Sequence, residues 1–151
     1  MDDIERLVAI EEIRQLKARY FRCMDTKDWD GFQAVFADDA SMDTTQEAPN
    51  IEVVVGAPQI RQFVEGSVGP VVTTHHGHMP EITFLSDTEA EGVWAMEDYV
   101  QIDPPSGRIS LNGFGHYMET YRKGDDGQWR ISSKNNERLR VDDAPWTLPD
   151  R

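Results

Sequence analysis

Ala90-Glu91-Gly92-Val93-Trp94-Ala95-Met96-Glu97-Asp98 is the stretch from which the fold can be read. With a period of two, one face carries Ala90, Gly92, Trp94, Met96 and Asp98, then Val100. That face is apolar except for one carboxylate. A carboxylate among apolar neighbours is costly unless it is paired, hydrogen-bonded or protonated. The stretch therefore predicts a strand whose inner face lines a core or pocket, with Asp98 kept there for structure or for chemistry.

Working outward, the second half of the chain keeps this extended character. Strand-like runs are expected at Val71–His76, Glu81–Leu85, Glu89–Asp103, Ile109–Lys123 and Trp129–Val141. Ser86-Asp87-Thr88, Asp103-Pro104-Pro105-Ser106-Gly107 and Gly124-Asp125-Asp126-Gly127 are turn signals between them. Long strands joined by tight turns pair antiparallel.

The first half reads helical. Ile4, Leu7, Val8, Ile10, Ile13, Leu16, Tyr20 and Met24 form one apolar stripe on a helix that should stop near Asp25-Thr26, with Lys17 among the charges filling the rest. A short helix N-capped by Asp28 should bury Trp29, Phe32 and Phe36. Ala40 to Asp43 reads as a short strand following a turn at Asp38-Asp39. A third helix opens at Gly56-Ala57-Pro58 and ends at Gly66 or Gly69-Pro70. Helices first and a long meander after make an α+β arrangement over residues 1–151 as a single domain. Gly92, Gly113 and Gly115 in strand interiors predict a bent sheet, and helices across its hollow side would enclose a pocket.

Composition bounds the function. A formal net charge of −13 disfavours binding to nucleic acid or to anionic membranes. The acidic N-terminus carries no secretory signal pattern and no apolar run is long enough to span a membrane, so a cytoplasmic protein is expected. The single cysteine, Cys23, excludes an intrachain disulfide and reads as a small core residue. Glycine-rich nucleotide loops, a nucleophile elbow and paired CxxC motifs are all absent, which removes support for redox, nucleotide and serine-hydrolase chemistry.

Five polar positions stand out. Tyr20 sits on the apolar stripe and could donate to a substrate oxygen or be an ordinary core tyrosine. Asp25, five residues on, could orient a histidine. It does not share a face with Tyr20 on a continuous helix, so the two converge only if the last turn unwinds. Thr74-His75-His76-Gly77-His78 holds three of the four histidines. A metal site is disfavoured because an extended chain sets His75 opposite His76 and His78, which leaves one working histidine as the better reading. Gly77 and Pro80 break the alternation, so parity does not choose it. Arg138 falls by parity on the face opposite Trp129, Ile131, Leu139 and Val141, and so on the surface, unless a bulge inverts the register. His116 is a candidate core or pocket residue.

Taken together, these segments resemble the SnoaL-like group of the nuclear transport factor 2-like superfamily. The likeness runs through the helix from Tyr20 to Asp30, the His75-His76-Gly77-His78-Met79-Pro80-Glu81 segment, Gly92 to Asp98 and the Asp126-Gly127-Gln128-Trp129 turn, covering about residues 4 to 141. It implies a cone-shaped barrel of three N-terminal helices on a strongly curved, mixed, mostly antiparallel sheet. Within the group the chain is most similar to the bile-acid 7α-dehydratases and more distantly to the scytalone dehydratases, whose second catalytic histidine has no counterpart near Val100.

The resemblance implies a catalytic set of Tyr20, Asp25, His75, Asp98 and Arg138, choosing His75 among the histidines and turning Arg138 inward. It implies a cofactor-independent lyase (dehydratase) or isomerase working by general acid/base chemistry on a hydrophobic steroid-like or polyketide-like substrate, with no metal and no cofactor. A homodimer or homotrimer is the expected assembly. The rival expectation is a non-catalytic small-molecule-binding or dimerisation domain of the same fold, its pocket plugged by aromatics or lacking convergent polar groups.

Overall fold

The computed structural model describes residues 1–46, 50–104 and 107–143. Helix α1 (Asp3–Thr26) opens with a reciprocal capping box: the Asp2 side chain accepts from the Glu5 amide and the Glu5 side chain accepts from the Asp2 amide. It closes where Lys27 adopts a left-handed conformation at φ 63°. Its buried face is Ala9, Ile13, Leu16, Lys17, Tyr20, Cys23 and Met24. The predicted stripe thus holds from Ile13 onward, whereas Ile4, Leu7 and Val8 in the first two turns are exposed.

Asp28 caps α2 (Trp29–Ala34) through the Gly31 amide, as expected. Phe36 is buried but belongs to the following strand, β1 (Phe36–Asp43), not to the helix. The expected turn at Asp38-Asp39 is the irregular part of β1, between its paired residues Phe36 and Ser41. Strand β2 (Val54–Val55) precedes α3 (Ala57–Val68), entered through Gly56 at φ 99°. Gly66 lies inside α3 and Gly69 ends it.

The four long strands are β3 (Val72–Phe84), β4 (Glu89–Ile102), β5 (Ile109–Lys123) and β6 (Trp129–Asp143). The two runs predicted on either side of Gly77 and Pro80 are one strand, β3, with a register shift at those residues. Of the predicted turn at residues 103–107, Pro105 and Ser106 lie outside the described residues, as do residues 144–151 of the predicted domain.

Six strands form one sheet in the order β2-β1-β6-β5-β4-β3. All neighbours are antiparallel except β1 and β6, which run parallel. The sheet is mixed and mostly antiparallel, as expected, but among the described residues it keeps two edges, β2 and β3, and does not close. The core lies between its inner face and the helices, where Ile13, Leu16, Phe32, Phe36, Ile60, Tyr117, Tyr121 and Ile131 are almost wholly buried. Among the described residues no helix is long and apolar enough to cross a membrane.

β6 departs from simple alternation. Between Thr120 and Tyr121 of β5 the partner on β6 jumps from Ser133 to Ile131, so Ser132 is an extra residue. One inserted residue exchanges the two faces of everything beyond it. Lys134, Asn136 and Arg138 therefore continue the inner face begun by Trp129 and Ile131. A second shift between Phe114 and Gly115 makes Leu139 the extra residue and sends Arg140 back to the outer face, over the Phe114 ring. This corrects the parity reading: Arg138 points inward, while Leu139 and Val141 are 72% and 54% exposed.

Candidate active site

Asp25 is the hub of the site. Its Oδ1 accepts from His75 Nδ1 at 2.6 Å and from Thr73 Oγ1 at 2.8 Å, and its Oδ2 accepts from the His75 amide at 2.9 Å. Burial works to raise the Asp25 carboxyl. The side-chain hydrogen bond and charge of His75, the His75 amide and the Thr73 hydroxyl outweigh it and hold the carboxyl below its ordinary value. No turn of α1 unwinds to bring this about. The helix runs intact through Thr26, and β3 delivers His75 to Asp25. Tyr20 joins the same cavity from one and a half turns earlier without touching Asp25, which corrects the expectation that convergence needs a frayed helix end.

With Nδ1 donating to a carboxylate, the neutral imidazole keeps its lone pair on Nε2. The ring lies nearly parallel to that of Phe21, 7° between planes and 6.5 Å between centroids. His75 is therefore fixed on two sides, by its hydrogen bonds to Asp25 and by an aromatic face.

Asp98 has a different partner. His75 and Asp98 lie opposite each other on β3 and β4, and Asp98 lies opposite Gly113 on β5. Arg138 reaches across from β6 and grips Asp98 with both guanidinium nitrogens, Nη1 to Oδ1 at 3.1 Å and Nη2 to Oδ2 at 2.7 Å. This bidentate bond answers the cost of the buried carboxylate. It passes over Gly113, where a Cβ would lie 2.0 Å from Arg138 Nη1 and 2.1 Å from Asp98 Oδ1. Gly113→Ala is thus expected to split the ion pair and to destabilise the fold by about 2 kcal/mol or more, since it leaves a buried charge poorly compensated. Urea denaturation measures it, and an unchanged midpoint would show that the pair does not need the gap.

Tyr20, His75, Asp98 and Arg138 line one cavity of about 400 Å³ between α1, α3 and the sheet, and Asp25 stands behind His75. Met24, Met42, Phe63, Val64, Val68 and Val100 supply apolar wall. The other histidines are elsewhere. His76 and His78 are exposed, the former edge-on to Tyr99 and the latter near Glu97, and His116 lies on the outer face opposite Ala95. No group of three His, Cys, Asp or Glu side chains among the described residues could hold a metal ion. Burial pushes the Cys23 thiol upward, consistent with its core role.

The polar cavity residues Thr44, Ser67, Thr73, Tyr117, Lys134 and Asn136 escaped the sequence reading. So did a buried chain next to the cavity. Lys17 Nζ donates to Glu119 at 2.5 Å, the Tyr121 hydroxyl donates to Glu119 at 2.6 Å, and Trp94 Nε1 donates to that hydroxyl at 2.7 Å.

The SnoaL-like domain family model matches residues 5–135. "Probable cyclase FGR4" from Gibberella zeae is 26% identical over 137 residues, covering 84% of this chain and 89% of that protein. Among solved structures, "Putative Scytalone Dehydratase" from Novosphingobium aromaticivorans superposes with a TM-score of 0.83 at 24% identity, covering 97% of this chain and 94% of the other. The hexachlorocyclohexane dehydrochlorinase LinA-type3 from Novosphingobium barchaimii superposes with a TM-score of 0.83 at 19% identity, covering 98% and 100%.

Proposed function

The chain belongs to the SnoaL-like domain family, and on that premise we propose that it is a cofactor-independent lyase, a dehydratase or a closely related isomerase, acting by general acid/base chemistry in the cavity beside His75. The observation that carries this reading is the Asp25–His75 hydrogen bond at 2.6 Å, with the working nitrogen of the ring left to a largely apolar cavity of about 400 Å³.

In this mechanism His75 Nε2 takes a proton from carbon next to a substrate carbonyl. The electron pair of that C–H bond moves onto the carbonyl oxygen as an enolate. Tyr20, in the cavity wall, donates a hydrogen bond to the developing charge. Collapse of the enolate forms the new carbon–carbon double bond and breaks the bond to a β-hydroxyl, which leaves as water with the proton returned from His75. Return of that proton to a different carbon makes the same site an isomerase. Asp25 holds the tautomer and stabilises the imidazolium. The Asp98–Arg138 pair fixes the wall beside them.

The Gibberella zeae cyclase relative and the dehydratase and dehydrochlorinase neighbours support chemistry of this kind, and the resemblance to bile-acid 7α-dehydratases supports the same five side chains. An aromatic plug or a wall without convergent polar groups would have favoured a binding domain, and the lining of the cavity argues against that rival.

The test is a thermal-shift screen of hydroxysteroids, enones and aromatic polyketides, since a ligand that binds the native state raises its apparent stability. Turnover of the hits is then followed by the absorbance of the new conjugated double bond. His75→Ala is expected to lose about 10²- to 10⁴-fold in kcat while keeping the circular dichroism of the wild type. Full turnover in that variant would overturn the mechanism.

A further inference from the structure

Thr73 and His75 are two residues apart on β3 and so share its inner face, where both meet the Asp25 carboxylate. In the proposed mechanism Thr73 has no role. Yet it is buried, and its hydroxyl lies 2.8 Å from the same Asp25 oxygen that accepts from His75 Nδ1. Behind it stands a cation. Lys27 Nζ donates to Thr73 Oγ1 over a long 3.4 Å. An ammonium only donates and an ionised carboxylate only accepts. A hydroxyl between the two therefore accepts from Lys27 and keeps its own proton for Asp25. The groups make one directed chain, from the Lys27 ammonium through the Thr73 hydroxyl to Asp25, which His75 joins from the other side.

Lys27 is also the one non-glycine residue with a positive φ among the described residues, 63° at the C-cap of α1. That conformation favours glycine, so a lysine kept there points to a use for its side chain. Burial pulls the ammonium below its ordinary value and the charge of Asp25 pulls it back up. Against burial, and together with His75, the Thr73 hydroxyl helps hold the Asp25 carboxyl below its ordinary value. We propose that Thr73 and Lys27 are positioning residues for His75: Lys27 aims the Thr73 hydroxyl, Thr73 fixes the Asp25 oxygen that holds Nδ1, and the cation at the end of the chain makes His75 give its proton back. The last part of this inference rests on the proposed acid/base reading.

The charge balance supplies the reason. With His75 neutral, the Lys27 cation balances the Asp25 anion. When Nε2 takes the proton from carbon, the imidazolium becomes a second cation beside the same carboxylate. Asp25 favours that state. Lys27 opposes it by like charge, and the Thr73 hydrogen bond opposes it by drawing on the oxygen that Nδ1 shares. The proton is therefore passed on to the leaving hydroxyl and not retained. The other charged and titratable groups toward His75 come from each element around the cavity: Tyr20 from α1 with Lys17 behind its ring, Asp98 from β4 bound by Arg138 of β6, Lys134 from β6 and Tyr117 from β5. Among the described residues α3 adds no titratable side chain to the lining. These groups are common to every variant below, so a change among the variants reads Thr73 and Lys27.

The experiment follows the His75 ring nitrogens by NMR across pH in the full chain, their signals assigned by loss in His75→Ala, and follows kcat/KM across pH on a substrate from the thermal-shift screen. Thr73→Val and Lys27→Gly are each expected to raise the pH at which the ring charges by about half a unit, roughly a threefold change in the charged fraction, and to carry the acid limb of kcat/KM with it. Thr73→Ser, which restores the hydroxyl, is expected to follow the wild type. Lys27→Gly is expected to melt at or above the wild-type temperature, since glycine adopts this positive φ without strain, so its shift is not a loss of fold. A ring that charges at the wild-type pH or lower in either Thr73→Val or Lys27→Gly overturns the proposal. So does a shift in Thr73→Ser as large as that in Thr73→Val. If the NMR shifts appear while His75→Ala keeps full turnover, the catalytic reading fails and the chain from Lys27 to His75 stands.

Discussion

Asp25→Asn is expected to lower kcat by about 10²- to 10⁴-fold with little change in KM, the scale on which a single acid/base group contributes. The carboxylate accepts three hydrogen bonds, from His75 Nδ1, the His75 amide and Thr73 Oγ1. An asparagine amide offers one accepting oxygen and an NH₂ group that only donates. Whichever way it turns, one or two of these donors meet another donor. If the NH₂ faces the ring, Nδ1 must accept, the proton moves to Nε2, and the atom facing the cavity is no longer a base. Fold and cavity should survive, so the loss belongs to kcat, read on a substrate from the thermal-shift screen. An Asn variant with full turnover would remove Asp25 from the mechanism.

The same substitution has a pH signature. The folded Asp25 carboxyl lies below its ordinary value of 3.8, so between the two values the unfolded chain binds more protons than the native one. Stability from this group is therefore fully present above the ordinary value and is lost as pH falls through the lowered one. Denaturation midpoints of wild type and Asp25→Asn should differ near neutrality and converge on acidification. A constant gap down to the lowest accessible pH would mean that Asp25 does not carry the linkage.

Much of the site was legible because alternation is a strong signal where nothing interrupts it. In β4 the period of two put Asp98 inside with Trp94 and Met96, and that is where it lies. The same logic in β5 places Gly113, Gly115, Tyr117, Glu119 and Tyr121 on one face, so the buried Glu119 was available to a parity argument. Lys17 was available too. It follows Ile13 by four residues and precedes Tyr20 by three, which is the spacing of the stripe itself, but its charge disguised it as surface. Arg138 was not legible from pattern. Its direction depends on Ser132 being an extra residue, and a bulge in a strand with Ser132, Ser133, Asn135 and Asn136 leaves no mark in the hydrophobic pattern. His75 was hidden for a related reason, the shift at Gly77 and Pro80. Resemblance supplied both residues; physical pattern alone supplied the fold, Asp98 and the two candidates on α1. Thr44 carries no signal at all, because its burial comes from the sheet order and not from its neighbours in sequence.

Lys17→Met is expected to be the most destabilising of these substitutions, by about 3–5 kcal/mol, because it leaves the buried Glu119 carboxylate without its cation. Both side chains are fully buried. After the substitution Glu119 keeps the hydrogen bond from the Tyr121 hydroxyl, itself raised well above the usual tyrosine range by burial and by Glu119. The reverse cut, Glu119→Leu, is expected to cost less. The stranded ammonium lies 3.7, 4.2 and 4.7 Å from the ring centres of Tyr117, Tyr20 and Phe21, a cage that offers roughly 2 kcal/mol of cation–π attraction in a desolvated setting.

Lys17 can also release its proton. Burial, opposed by Glu119 and reinforced by Lys134, already lowers its value from 10.5 to about 8. Between those values the unfolded chain holds the extra proton, so this group makes stability rise with pH across that window. Removing Glu119 takes away the main upward pull, and the window then extends toward neutrality. The double variant Lys17→Met/Glu119→Leu should recover most of the loss, since an apolar replacement of a buried ion pair is often neutral. Urea denaturation of the three variants at several pH values tests the scheme. Equal costs for the two single cuts would remove the aromatic cage and the proton release from the scheme, and a double variant that loses the sum of both would show that Lys17 and Glu119 do not act as a pair beneath Tyr20 and Tyr117 in the cavity wall.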